Sequence, residues 1–299
     1  MMRFGIDLGG TKTEILALDN GGAVRLRHRI ATPRDYDSLL RALGKLVTGA
    51  EVQLGARGSV GIAIPGSESF GSNLIKNANT TYLNGRPLRR DLEKLLARPV
   101  RLANDANCFA LSEASDGAAN GASVVFGVIA GTGVGGGVVI DGKVLGGAHG
   151  IGGEWGHIPL PAPSLDEVRE APLCYCGKRG CLEVWCSGPG LAADFKRVTG
   201  RNASAEAIAT SDGADERSAI DRLVDRIARA MATMVNILDP NVIVMGGGLS
   251  NIERLYRDLP PLVEKYAFNL GGRPRIVKNM HGDSSGVRGA AWLWSESGT

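Results

Sequence analysis

Apolar positions near the start of the chain fall in two short runs on either side of a glycine turn. The run from Phe4 predicts a strand, Gly9-Gly10-Thr11 a turn, and Thr13 to Leu18 a returning strand that ends at an Asn20-Gly21 turn. The pattern recurs from Val124, with a Gly131-Thr132-Gly133 turn, a second strand through Val139 and an Asp141-Gly142 turn. At an offset of 122 (126 − 4), Phe4 matches Phe126, Gly5 matches Gly127, Ile6 matches Val128 and Gly9 matches Gly131. This predicts duplication at the scale of a domain: two lobes and a cleft in which two glycine loops face one another. Two unrelated hairpins are the alternative.

Between the repeats, SVGIAIPG (Ser59 to Gly66) predicts a buried strand ending in a Pro-Gly turn, and RPVRLANDANCFALSEA predicts a strand joined to a helix near Asn104-Asp105. From Glu216 onward, Ile220, Leu223, Val224, Ile227, Met231, Met234, Val235 and Leu238 recur every three or four residues. They define one face of a long helix that stops at Asp239-Pro240. NVIVMGGGLSNIERLY then predicts a buried strand, a triple-glycine junction and a helix opened by a capping box from Ser250 to Glu253. SGVRGAAWLW predicts a final short helix packed on the first lobe. Alternating strands and helices indicate the α/β class.

Composition narrows the function classes. The 299 residues carry 34 Lys+Arg against 31 Asp+Glu, and no run of five like charges occurs. No stripe for a phosphate backbone is present, so no nucleic-acid partner is expected. The start, MMRFGIDLGG, has no apolar stretch behind a basic region, and no window holds 18 uninterrupted apolar residues; a cytoplasmic chain without a membrane span is expected. The 43 glycines are about twice the usual share and are clustered rather than periodic. They point to tight loops where backbone approaches a ligand.

Three loops, Gly9-Gly10-Thr11, Gly131-Thr132-Gly133 and Gly246-Gly247-Gly248, offer bare backbone N–H groups for phosphate oxygens. Neither a Walker A sequence nor a full G-x-G-x-x-G is present, so the grip is of another type. Asp7 interrupts an apolar strand just before the first loop; a buried carboxylate needs compensation, and Mg²⁺ beside a phosphate loop supplies it. An Asp capping its own turn is the alternative. Asp105, at the carboxyl end of a strand, is placed for a general base toward a substrate hydroxyl, with the Asn104 amide holding a neighbouring one. A helix N-cap is the other use of such an Asp.

His157 with Cys174, Cys176 and Cys181 forms a Cys₃His set suited to a closed structural Zn²⁺ site, with Gly177 and Gly180 letting the knuckle fold. Free thiols plus a core histidine are the alternative. Cys108 and Cys186 are expected to be buried and inert. Glu154 and Glu183 flank the knuckle and can present acceptors to a polyol, or simply be solvated.

IDLGGTKTE, AIPG, LANDAN, IAGTGVGGG, GEWGH, CYCGKRGCLE, VIVMGGGLS and HGDSSGVRGAAWLW together resemble the ROK family (repressor, open reading frame, kinase) over nearly the whole chain. The resemblance implies a two-lobed actin-like (ribonuclease H-like) ATPase fold with an interdomain cleft. Its lobes are expected at residues 1–118 with 287–299, and at 119–286 with the zinc loop. It implies Asp105 as catalytic base, with Gly66, Asn79, Asn104, Glu154, His157 and Glu183 at the sugar. Gly9, Gly10, Thr11, Lys12, Gly131, Thr132 and Gly133 are implied at the ATP phosphates, Asp7 at Mg²⁺, and Gly246 to Gly248 at the adenosine. His157 doubles as a zinc ligand with the three cysteines, and a homodimer is implied.

KNANTTYLNGRPL and HGDSSGVRGAAWLW look most like bacterial fructokinases of the manno(fructo)kinase type, which implies transfer of phosphate from ATP to the 6-hydroxyl of fructose. RLANDANCFALSEA is similar to bacterial N-acetylglucosamine kinases, and a broad gluco/mannokinase is a further alternative. Repressors of the family carry an added N-terminal helix-turn-helix; here the first hairpin begins at residue 4, so an enzyme is expected over a sugar-sensing repressor.

Overall fold

The computed structural model describes residues 2–269 and 271–294, residue 283 by its backbone alone. In chain order the first sheet and its helices are β1 (Met2–Leu8), β2 (Lys12–Leu18), β3 (Val24–Ala31), α1 (Tyr36–Leu54), β4 (Gly58–Ile64), β5 (Ser67–Glu68), β6 (Ile75–Lys76), α2 (Leu88–Leu96), β7 (Val100–Asn104) and α3 (Asp105–Ser115). They are followed by β8 (Val124–Ala130), β9 (Val134–Ile140), β10 (Lys143–Val144), α4 (Leu165–Arg169), α5 (Leu182–Cys186), α6 (Gly188–Thr199), α7 (Ala205–Thr210) and α8 (Ala214–Leu238). The last elements are β11 (Val242–Gly246), α9 (Arg254–Tyr266), β12 (Ile276–Lys278) and α10 (Ser285–Trp292).

The repeat read from the sequence is present strand for strand. β8 begins 124 − 2 = 122 residues after β1, and β9 begins 134 − 12 = 122 after β2. The sheets run β3-β2-β1-β4-β7 and β10-β9-β8-β11-β12, the same order when each set is numbered from its own first strand. In the first sheet β1 is antiparallel to β2 and parallel to β4, which is parallel to β7. In the second, β11 is parallel to both β8 and β12.

By their contacts the residues form two compact units, Met1–Gly121 with Gly137–Gly153 and Asp283–Thr299, and Ala122–Gly136 with Glu154–Gly282. Residues 137–153, which the sequence pattern joins to the second lobe, group with the first unit because β10 packs on α3 and Gly137 lies against the Ala106 carbonyl. Of the expected C-terminal segment, 295–299 lies outside the described residues.

The core of the first unit fills the space between its sheet and helices α1 and α2, with Phe4, Ile6, Leu39, Leu43, Ile62, Leu88 and Leu92 fully buried. On the other face α10 packs against β1, β4 and α3, as expected for SGVRGAAWLW. The approach is backbone to backbone: a Cβ at Gly61 would stand 1.9 Å from the Ala290 carbonyl oxygen, and one at Gly289 would stand 1.6 Å from that of Cys108. Glycine at these two positions therefore sets how closely helix and sheet meet.

The long helix α8 buries Ile220, Leu223, Val224, Ile227, Met231 and Val235, the face read from its spacing, and ends at Asp239 in the left-handed region. The capping box expected at Ser250 does not form. Gly248–Asn251 makes a 3₁₀ turn first, the Ser250 hydroxyl donates to the Gly247 carbonyl, and α9 starts only after Glu253, whose side chain makes no cap. β3, β10 and β12 had no sequence expectation. β3 and β10 are third strands whose solvent-facing residues blur the alternation, and β12 has only three residues.

Candidate active site

In the first unit the β1–β2 turn carries Gly9, Gly10, Thr11 and Lys12, the last three exposed. Its geometry is fixed by the Gly9 N–H donating to the Lys12 carbonyl, 3.1 Å, and by Thr32. The Thr32 hydroxyl donates to the Gly9 carbonyl at 2.7 Å and its N–H to the Thr11 carbonyl at 3.0 Å.

Asp7 precedes this turn on β1. Burial pushes its pKa from 3.8 up to about 6, and the nearby Asp105 and Glu14 carboxylates push the same way. No hydrogen bond to the Asp7 carboxylate from the described residues offsets that cost, so Asp7 is not capping its own turn. A half-buried carboxylate raised in this way gains free energy from a cation, which fits the donor chemistry of Mg²⁺.

Asp105 opens α3 directly after β7. Asn104 is the N-cap, its side-chain oxygen accepting the Ala106 N–H at 2.9 Å. The cap role open to Asp105 thus falls mainly to its neighbour, although Asp105 Oδ1 also accepts that N–H at 2.8 Å. The Asp105 side chain is reachable by solvent, yet protein crowds it and desolvation raises its pKa. The Asn104 amide donates to the Gly66 carbonyl, 3.3 Å, and the Asn79 N–H to that of Pro65, 3.2 Å. Gly66, Asn79, Asn104 and Asp105 are thereby tied together, and Asp7 and Asp105 interact electrostatically. Cys108 is buried beside both carboxylates, which with desolvation push its thiol well up. Its burial is as expected.

In the second unit the segment Glu154–His157 docks on the start of β9. The Trp155 indole N–H donates to the Gly135 carbonyl at 2.8 Å, and its ring meets Phe126 edge-on. A Cβ at Gly156 would lie 2.0 Å from the Val134 carbonyl oxygen, which explains glycine in GEWGH. This places His157 beside the knuckle. One donor atom each from His157, Cys174, Cys176 and Cys181 lies within 4.8 Å of the others. His157 Nδ1 is 3.6 Å from Cys174 Sγ, and Cys176 Sγ is 3.6 Å from Cys181 Sγ. Tetrahedral zinc with ordinary Zn–S and Zn–N bonds has edges of about 3.5–3.8 Å, so the donor set fits that ion.

His157 Nε2 faces the Tyr175 hydroxyl at 2.9 Å, an outer partner able to set the ring orientation. The Tyr175 pKa is pushed up to about 12 by burial and by the charges of Glu183 and Glu154, so those carboxylates share this neighbourhood. Cys186 is buried, as expected.

The Gly131–Gly133 turn is closed by the Gly131 N–H on the Gly133 carbonyl, 2.9 Å, leaving Thr132 exposed at its tip. The Gly246–Gly248 junction adjoins it. Gly247 has φ 80°, and a Cβ there would meet the Ala130 carbonyl oxygen at 2.5 Å. Gly131, Thr132 and Gly248 line a cavity of about 1010 Å³, walled by Ala192, Ile220, Leu249 and Ile252 and rimmed by Glu206, Asp212, Arg217 and Arg254. Gly246 and Gly247 are not among its lining residues. Sequence reasoning missed the Gly188-Pro189, α7 and Arg254 walls; Ser-Gly-Pro-Gly at 187–190 was the available signal, a capped helix start with bare backbone.

Residues 3–297 match the ROK family. The chain belongs to that family. It is 41% identical to the N-acetyl-D-glucosamine kinase of Pectobacterium carotovorum, with 98% of each chain covered. The ROK hexokinase of Thermus thermophilus superposes with a TM-score of 0.86 at 31% identity, over 98% of this chain and 97% of that one. A ROK family glucokinase from Streptomyces griseus, solved with glucose and AMPPNP, gives 0.77 at 25% identity, over 98% and 99%. The fold is thus the α/β, actin-like ATPase fold of the ROK hexokinases.

The curated relative is an N-acetyl-D-glucosamine kinase, so the comparisons favour the alternative substrate over fructose. In the fructokinase-like stretch KNANTTYLNGRPL the hydrogen bonds are those of a turn. Asn77 takes a positive φ of 56°, and the Asn84 side chain braces both the N–H and the carbonyl of Ala78. HGDSSGVRGAAWLW likewise builds the helix packed on the first unit. Both stretches thus take part in turns and packing. Among the described residues no helix is long and apolar enough to cross a membrane.

Proposed function

We propose that the protein is an ATP-dependent N-acetyl-D-glucosamine kinase that forms the 6-phosphate. The observation that carries the sugar assignment is the 41% identity, over 98% of both chains, to an enzyme of that name. Kinase chemistry is supported independently by Asp105, a carboxylate held at a strand end with a raised pKa and reachable by solvent.

In this reading Asp105 takes the proton from the 6-hydroxyl as that oxygen attacks the γ-phosphorus of ATP. Desolvation makes its carboxylate a better base than one in water. Asn104, fixed as N-cap and through its bond to Gly66, orients a neighbouring hydroxyl, and Asn79 adds a polar group beside it. Glu154, His157 and Glu183 are proposed to accept from or donate to further sugar hydroxyls. The N–H groups and threonine hydroxyls of the two Gly/Thr turns, with Lys12, hold phosphate oxygens, and positioning and electrostatics supply most of the rate in phosphoryl transfer.

Asp7 would hold Mg²⁺, directly or through its waters; when bound, that ion neutralises charge on the phosphate oxygens. Gly246 to Gly248 and the adjoining cavity take the nucleoside. His157, Cys174, Cys176 and Cys181 would hold zinc in a closed site that orders the knuckle and leaves no coordination position for substrate.

A coupled assay of ADP release with Mg-ATP, run against N-acetyl-D-glucosamine, fructose, glucose, mannose and N-acetyl-D-mannosamine, tests the reading. The highest kcat/KM is expected for N-acetyl-D-glucosamine. A preference for fructose would overturn the sugar and leave the phosphotransferase chemistry intact.

A further inference from the structure

The short helix α5 connects the cysteine cluster to the Gly131–Gly133 turn. Its N-cap is the cluster residue Cys181, and the chain leaves it through Ser187 into Gly188. Two hydrogen bonds run from this segment to the turn. Glu183 Oε2 accepts the Val134 N–H at 3.1 Å, and the Gly188 N–H donates to the Gly131 carbonyl at 2.8 Å. The other oxygen of the same carboxylate, Oε1, lies 4.0 Å from Cys174 Sγ.

The segment has little freedom to absorb a shift. The Ser187 N–H bonds the Glu183 carbonyl and its hydroxyl caps Gly190. On another side the Arg226 guanidinium lies 4.6 Å over the Trp185 ring while pairing with Asp194 and Glu167, all three side chains being largely buried. A displacement at Cys181 is therefore passed on to the two bonds that shape the turn, because closely packed elements transmit strain.

We infer that the cysteine–histidine cluster sets the position of the Gly131–Gly133 turn, so that its metal occupancy controls affinity for the nucleotide, with Glu183 as the positioning residue that links them. The inference rests on the reading of this turn as a phosphate loop. It gives Glu183 a second task beside the sugar contact proposed above, on the nucleotide side of the reaction.

The test is calorimetric titration of Mg-AMPPNP, with no sugar present, into protein of verified zinc content. Removing zinc with a chelator is expected to raise Kd at least fivefold, and adding zinc back to restore it. Glu183→Ala, at full zinc content, is expected to raise Kd by a similar factor, whereas Glu183→Gln, which keeps an acceptor for the Val134 N–H, stays within twofold of wild type. The Glu183 arm needs no metal removal, so it decides the matter even where chelation unfolds the unit. Wild-type affinity in Glu183→Ala overturns the link, as does affinity unchanged by zinc loss. If the zinc-loaded wild type does not bind the analogue, the phosphate-loop reading falls and this inference with it.

Discussion

The two glycine turns occupy equivalent places in a duplicated strand-turn-strand unit, yet they are held and equipped differently. The first is braced by Thr32, the residue that follows β3 of its own sheet, and has Asp7 just before it. The position equivalent to Asp7 in the second copy, 7 + 122 = 129, is Ile129, half-buried like Asp7. The second turn is braced from outside its sheet, by Glu183 and Gly188 on the segment that leaves the cysteine cluster. One scaffold thus serves two purposes. The first copy concentrates negative charge suited to a cation and a base, while the second dispenses with that charge and is held by the segment that leaves the cysteine–histidine cluster.

If the base belongs to the first unit alone, Asp105→Asn has the largest effect. Its kcat is expected to fall by about 10²–10⁴-fold with little change in the Kd for sugar or nucleotide. Near wild-type kcat would remove Asp105 from the chemistry.

A smaller effect tests the charge difference between the copies. The folded pKa of Asp7, about 6, lies above its ordinary 3.8. The folded state therefore holds the proton more tightly, and the stability this confers is full below pH 4 and lost as pH rises through 6. Above that, the ionised carboxylate costs about 3 kcal/mol. Asp7→Asn escapes this loss, so in Mg²⁺-free buffer its stability relative to wild type should rise by up to that amount between pH 4 and 7.5. Urea unfolding at the two pH values measures it, and a pH-independent difference would contradict the assigned burial of charge.

The smallest effect concerns the braces. Thr32→Val removes the bond to Gly9 and leaves the Thr13 hydroxyl without its buried partner at 2.8 Å, for about 1–2 kcal/mol. Amide exchange should quicken at residues 9–12 and stay unchanged at 131–134; equal quickening at both turns would show that the braces are not local.

The paired strands, the α8 face and the Cys₃His set were legible because each is written in adjacent or regularly spaced residues. Asp7 and Asp105 stood out as carboxylates at strand ends, and the structure adds the crowding that raises both. The hold of Glu183 on Val134 joins residues 49 apart, which no local pattern encodes. The cavity walls from α7 and Arg254 come together only through tertiary packing. Substrate choice was read from segments whose residues serve turns and helix packing, and the fructokinase-like motif there is not matched by the similar enzymes, which are N-acetyl-D-glucosamine kinases.

The central claim is transfer of the γ-phosphate of ATP to the 6-hydroxyl of N-acetyl-D-glucosamine. ³¹P NMR of the reaction mixture, with proton coupling retained, tests it most directly. The account predicts growth of ADP together with a phosphomonoester split by the two C6 protons; ADP appearing with inorganic phosphate alone, or an ester coupled to a ring proton, would contradict it.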